Sequence, residues 1–269
     1  MKYIFVLLCM LSYGSGYAQN YIDIVHTEYT NTPQNEFEGQ SNSSDSSSSG
    51  LEKIHVNLTV PIPLKNENTL ITGIVYDRIN TLFSANSNSI PVSSVILKTG
   101  INVTYSEKWS ATYMLLPKLA SSFEDKTTRS DFQLGGLGLA KKKKNDFLSY
   151  KFGAYFNGDL FGPFLVPLFG FYYKKDNWEL DIIIPSYAKI NYNLSSKVTT
   201  GINWRATVKS YHLNNSGITT RQNSSYIHHL SNEVGAHLSY EPIKGVIIRA
   251  LSGVSLGRSF RVYEKGDKI

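Results

Sequence analysis

Cysteine is nearly absent from this chain of 269 residues; the one example, Cys9, lies in the apolar opening segment. Once that segment is removed there is no thiol left, which excludes disulfides and cysteine chemistry. A lipid anchor on Cys9 is not expected either, because Leu8 stands where a lipoprotein signal wants a small residue. No apolar run approaches the roughly 20 residues of a membrane-spanning helix. No long window carries a 3.6-residue period, and no solenoid repeat is visible. The formal charge is +6, but the lysines scatter over turns and alternate strand positions. Without a basic helix or a basic groove interleaved with aromatics, a nucleic-acid partner is not expected. A glycine-rich phosphate loop and other catalytic motifs are also missing. No enzymatic activity, cofactor or metal is expected.

What is present begins with an export signal. Lys2 is the positive end, Tyr3 to Leu11 the short apolar core, and Gly16-Tyr17-Ala18 the small-residue site. Residues 1–18 therefore read as a signal peptide cleaved after Ala18. The remaining 250 or so residues suffice for one domain, 19–269.

The segment Lys197 to Val208 is the most informative. Even positions carry Val198, Thr200, Ile202, Trp204, Ala206 and Val208; odd positions carry Lys197, Thr199, Gly201, Asn203, Arg205 and Thr207. In a β-strand this places an apolar face opposite a polar, charged one. Similar runs predict strands near 20–30, 52–62, 69–79, 92–105, 109–119, 130–140, 147–157, 162–173, 178–185, 188–194, 197–209, 225–240 and 246–262. With no helix to cross a membrane, the pattern predicts an all-β fold, a transmembrane antiparallel β-barrel of about 12–14 strands in the cell outer membrane. Its partners are outer-membrane lipid and a possible small solute in the lumen.

The connections alternate in length. Asn31–Gly50, Asn80–Pro91 and His212–Ser224 are long, whereas Lys65–Asn68, Ser106–Lys108, Lys174–Asn177 and Ser195–Ser196 are tight. Barrels have short periplasmic turns and longer external loops, which puts the N-terminus in the periplasm. The short Ser186-Tyr187 link breaks the alternation. Tyr105, Trp109, Tyr150, Tyr172, Tyr173, Trp178, Tyr192 and Tyr240 gather at the tight-turn ends, as an interfacial girdle would. Thirteen strands starting in the periplasm finish outside, so the first and last would run parallel. An even count is the rule for single-chain bacterial barrels. One more strand beyond Ile269, with an open seam between the first and last strands here, is therefore the expectation. The alternative is a miscount at 178–194.

Asp23-Ile24-Val25-His26-Thr27-Glu28-Tyr29, Val60-Pro61-Ile62-Pro63-Leu64-Lys65 and Gly162-Pro163-Phe164-Leu165-Val166-Pro167-Leu168, with Trp178, Ile184-Pro185 and Ile190-Asn191-Tyr192, resemble an uncharacterised (domain-of-unknown-function) family of Bacteroidota outer-membrane β-barrel proteins. The resemblance implies the barrel and its location. It brings no activity and no site residue.

Alternation places Lys98, Asn102, Lys118, Gln133, Lys151, Glu179, Asp181, Asn203, Arg205, Lys209, His229, Glu233, His237 and Arg249 toward the lumen. They would form either a salt-bridge network filling the lumen or a pore lining that selects solutes. His229, Glu233 and His237 stand four apart, about 13 Å on a strand, too far to share a metal. In Phe161–Gly170 both faces are apolar, and Pro163 and Pro167 remove ladder donors. This reads as a kinked strand, an apolar patch on the lumen wall, or a lateral gap. The leading function is a pore or passive channel for small solutes. The alternatives are a non-transporting surface barrel whose external loops bind a partner, and an outer-membrane lipid hydrolase, which would need a Ser-His pair in reach at the rim.

Overall fold

The computed structural model describes residues 23–36, 48–83, 89–124, 126–160, 162–213 and 225–264. The expected signal peptide and most of the 31–50 and 212–224 loops lie outside them.

Thirteen strands follow one another as a meander: β1 (Val25–Glu36), β2 (Ser48–Pro63), β3 (Thr69–Phe83), β4 (Ser89–Ser106), β5 (Trp109–Ser121), β6 (Phe132–Lys143), β7 (Leu148–Asp159), β8 (Gly162–Lys175), β9 (Trp178–Ile184), β10 (Tyr187–Asn193), β11 (Val198–His212), β12 (Ser225–Ile243) and β13 (Val246–Glu264). Each pairs antiparallel with the next. The only helical piece among the described residues is one 3-10 turn, Arg129–Asp131. At the long-loop end strands outrun the alternation signal: β1 continues to Glu36 and β2 starts at Ser48.

The segment suspected of a miscount is a true hairpin, with β9 and β10 paired from Trp178–Tyr192 to Ile183–Tyr187. The odd count stands, and no ladder joins β1 to β13 among the described residues. Closure happens elsewhere. The end of β5 meets the end of β11 in a parallel bridge, Ser121 beside His212. The Ser122 amide donates to the His212 carbonyl at 3.0 Å. Strands β5–β11 thus form a closed seven-strand barrel, with β1–β4 and β12–β13 as additional strands. The expectation is an open seam between the first and last strands with one further strand to close the ring; contact between β5 and β11 is not among the expectations. The long-loop end of β11 reaches the end of β5 and closes the ring there.

The polarity is inverted relative to a water-soluble sandwich. Twenty polar or charged side chains are buried against eleven apolar ones among the described residues. Ile54, Leu58, Ile62, Leu97, Leu115, Leu165, Phe169, Ile202 and Leu238 meanwhile stand exposed on the outer face. Tyr105, Trp109, Tyr150, Trp178 and Tyr240 are exposed near the tight turns. Trp178 packs on Tyr192 at 4.9 Å, and the Lys142 ammonium lies 5.0 Å over Trp109. Tyr172 departs from the expected girdle. It pairs with Asp181 in register, faces inward, and donates to Glu179 at 3.3 Å.

Candidate functional site

The site grows from strand register, because directly paired residues share a face. Lys118 pairs with Gln133, Lys141 with Lys151, Asp181 with Lys189, Lys189 with Asn203 and Arg205 with Glu233. Lys209 pairs with His229, Gly201 with His237 and Ser239 with Arg249. Asn102 and Lys98 share the face of Ile96, which pairs with Lys118. All the residues that alternation aimed inward therefore lie on one continuous face of the sheet.

Their partners are specific. Arg205 grips Glu28 through both terminal nitrogens at 2.8 and 3.1 Å, and Glu233 at 2.7 and 3.2 Å. Glu28 lies on β1, so this clamp joins β1, β11 and β12. Four residues further along β11, Lys209 donates to Asp77 at 2.6 Å, and Asp77 also bonds the His55 ring at 2.8 Å. On the other side Lys151 meets Asp181 at 2.6 Å. Lys98 donates to Asn57 at 2.5 Å and also to Thr59. Asn102 donates to Thr112 at 2.8 Å, and Arg249 to Ser239 at 2.9 Å. Bidentate arginine–carboxylate geometry is the strongest of these contacts and fixes direction as well as distance. His229, Glu233 and His237 do not converge; they remain spaced along β12. Both histidines are buried.

Beyond the ionic layer, toward the long-loop end, Leu51, Ile79, Val92, Ala120, Tyr211, Leu213 and Ile227 form one buried apolar cluster. These residues come from β2, β3, β4, β5, β12 and β11 with its following residue. The cluster spans the interior from β2–β5 to β11–β12. On that side the interior is narrowed, first by charge pairs and then by apolar packing.

The second junction staples β11 to the 122–131 connection. His212 bonds Asp131 through Nδ1 at 2.8 Å, and Gln133 donates to the Ser210 carbonyl at 3.1 Å. Serine, histidine and aspartate therefore do meet. However, the Ser121 hydroxyl donates to the His212 backbone carbonyl at 3.1 Å, whereas a nucleophile would bond the ring. The arrangement is a clasp. Burial alone would raise the Asp131 carboxyl. The Thr128 amide, the His212 ring and Ser121 outweigh it and hold the carboxyl below its ordinary range. The clasp is therefore whole above the ordinary value near 3.8 and is lost as pH falls through the depressed value. Asp131→Asn should weaken it by about 1.5–3 kcal/mol, the usual worth of a hydrogen bond to a charged group. Trypsin should then cut the folded protein faster after Arg129; unchanged cleavage would show that the clasp does not hold the connection.

Sequence reasoning missed Glu28, Lys53, His55, Asp77 and Asp131. Parity could have found Glu28, since His26, Glu28 and Thr30 alternate with Val25, Thr27 and Tyr29. Asp77 was masked by Arg78 beside it, which puts a charge on each face. Nothing local announces that Glu28 meets a residue 177 positions away.

No curated protein and no solved structure matches this chain. A family model described as a domain of unknown function matches residues 15–268, nearly the whole length. The chain belongs to that family, DUF6268.

Proposed function

We propose that this protein is an outer-membrane β-barrel that passes small solutes through a constricted interior. The observation that carries the membrane reading is the inverted polarity. Exposing Leu97, Leu115, Leu165, Phe169 and Ile202 while burying Lys53, Asp77, Lys118 and Lys151 is costly in water and favourable when lipid lies outside. Strands are the spanning elements available, since no helix among the described residues is long and apolar enough. Antiparallel pairing of each strand with the next satisfies backbone groups along every ladder, as hydrocarbon requires.

The constriction is the Arg205 clamp with the Lys209–Asp77 pair. Fixed charges of both signs on an inner wall favour small polar solutes over a wide aqueous bore. Refolded protein in a planar bilayer should give small, discrete conductance steps. A silent wild type, together with silent variants in which Arg205 or Lys209 is truncated, would contradict conduction. That outcome favours the second reading, a surface barrel that binds a partner through its long loops. The apolar cluster around Tyr211, which closes the interior near those loops, supports this second reading.

A further inference from the structure

The wall of the barrel is incomplete above the β9–β10 hairpin. Strands β9 and β10 have 7 residues each, while their neighbours β8 and β11 have 14 and 15. At about 3.3 Å per residue and a tilt near 40°, seven residues rise about 18 Å, short of an apolar band about 25 Å tall. On the membrane reading the hairpin ends inside the hydrocarbon. Its tip agrees with this: Ile184 and Pro185 are exposed, and residues 184–187 carry no charge. By contrast, the long loops at the same end of the barrel are rich in Ser and Asn.

Both edges of the gap have part of their hydrogen bonding settled without β9 or β10. On β8, β9 pairs only from Phe169 onward, leaving residues 162–168 with β7 alone. Pro163 and Pro167 fall in that edge, where a missing donor is tolerated. On β11, pairing to β10 stops at Arg205. Beyond it the Ser186 carbonyl accepts from Ala206 at 2.9 Å, and the carbonyls of Ser210 and His212 are taken by Gln133 and Ser122. Bare edges in lipid would cost several kcal/mol per unsatisfied group; the two prolines and the Ser186, Gln133 and Ser122 contacts cover part of these edges, and the Leu160 amide, donating to the Ser210 hydroxyl at 3.1 Å, bounds the gap above. The gap runs between residues 162–168 of β8 and the part of β11 beyond Arg205.

Behind it the lining is graded. Leu168 pairs with Gly153, Val166 with Tyr155 and Phe164 with Asn157, so the inner wall is apolar low down. Toward the long-loop end it becomes polar, with Asn157 donating to Asp159 at 2.9 Å and Gln133 and Lys118 also buried. A lipid of the outer leaflet has the same polarity along the same axis, tail low and head high. Asp159 accepts from Asn157 and from the Leu160 amide; with one cation, Lys118, and one anion, Asp159, this polar end carries no net charge and suits an uncharged hydrogen-bonding head.

The geometry points to a lateral portal between β8 and β11, through which a single-chain amphiphile with an uncharged hydrogen-bonding head enters from the bilayer. This deepens the solute-passing reading and rests on it. It accounts for the short Ser186-Tyr187 link and the Pro-rich apolar strand together.

Single thiols test it, in a Cys9→Ser background so that the introduced cysteine is the only one. The variants are Val166→Cys behind the gap, Phe164→Cys as its second, Ile71→Cys on the inner face of fully paired strands, and Ile202→Cys on the outer face. Each, folded in vesicles, is treated with pyrenyl maleimide dissolved in the lipid and, separately, with a charged methanethiosulfonate in water. The Val166→Cys or Phe164→Cys thiol should react with the lipid-borne reagent severalfold faster than that of Ile71→Cys. Monooleoylglycerol should slow that reaction without slowing Ile202→Cys. If both react no faster than Ile71→Cys while Ile202→Cys reacts from lipid, the portal is wrong and the membrane reading survives. If Ile202→Cys reacts from water instead, the membrane reading fails and the portal fails with it.

Discussion

Replacing Ile202 by arginine should impair folding into a bilayer by about 2–4 kcal/mol, the cost of an arginine facing lipid near the midplane. Ile202 is 57% exposed on the outer face, and four residues from the start of β11 place it roughly 10 Å above the tight turns at ordinary strand rise and tilt. Arginine at Asn203, one position along, should cost much less, because that side chain joins the inner face opposite Gly235. Urea titration of vesicle-refolded protein reads the difference. Equal losses in the two variants would mean that the face assignment of β11 is wrong.

Truncating Arg205 to alanine has the other large expected effect. It leaves Glu28 and Glu233 facing each other across the interior with their shared cation gone. A fully buried pair broken from one side costs about 3–5 kcal/mol; here the arginine retains 37% and the carboxylates 25% and 30% of their side-chain exposure, so about 2–3 kcal/mol is expected. The same variant should conduct more than wild type, because the clamp crosses the interior. A variant that loses stability with unchanged conductance would make the clamp a structural tie between β1, β11 and β12 and no part of a solute path.

Much of this was legible in the residues. The even–odd contrast from Val198 to Val208 read directly as β11, and the same contrast located all thirteen strands because a period of two survives on a sheet with unlike faces. Parity also put Lys98, Lys151, Asp181, Arg205 and Arg249 on a common face. Closure was not legible. Whether β1 meets β13 or β5 meets β11 depends on how sharply the sheet curls, and no local pattern encodes the Ser121–His212 bridge. Partner identity was hidden for the same reason: the sequence marks Arg205 as inward but says nothing of Glu28. Tyr172 misled because a tyrosine beside a tight turn suits a girdle equally well on either face; only its register with Asp181 decides.

The central claim is that the outer face meets lipid and the inner face water. Nitroxides placed singly at positions 199 to 208 of the vesicle-embedded protein test it most directly, by collision with oxygen, which concentrates in hydrocarbon, and with a water-soluble nickel chelate. The account predicts a period of two, with oxygen dominating at Thr200, Ile202, Trp204 and Ala206 and oxygen access low at Thr199, Gly201, Asn203 and Arg205. Nickel dominating at Ile202 and Trp204, or a profile with no alternation, would contradict it.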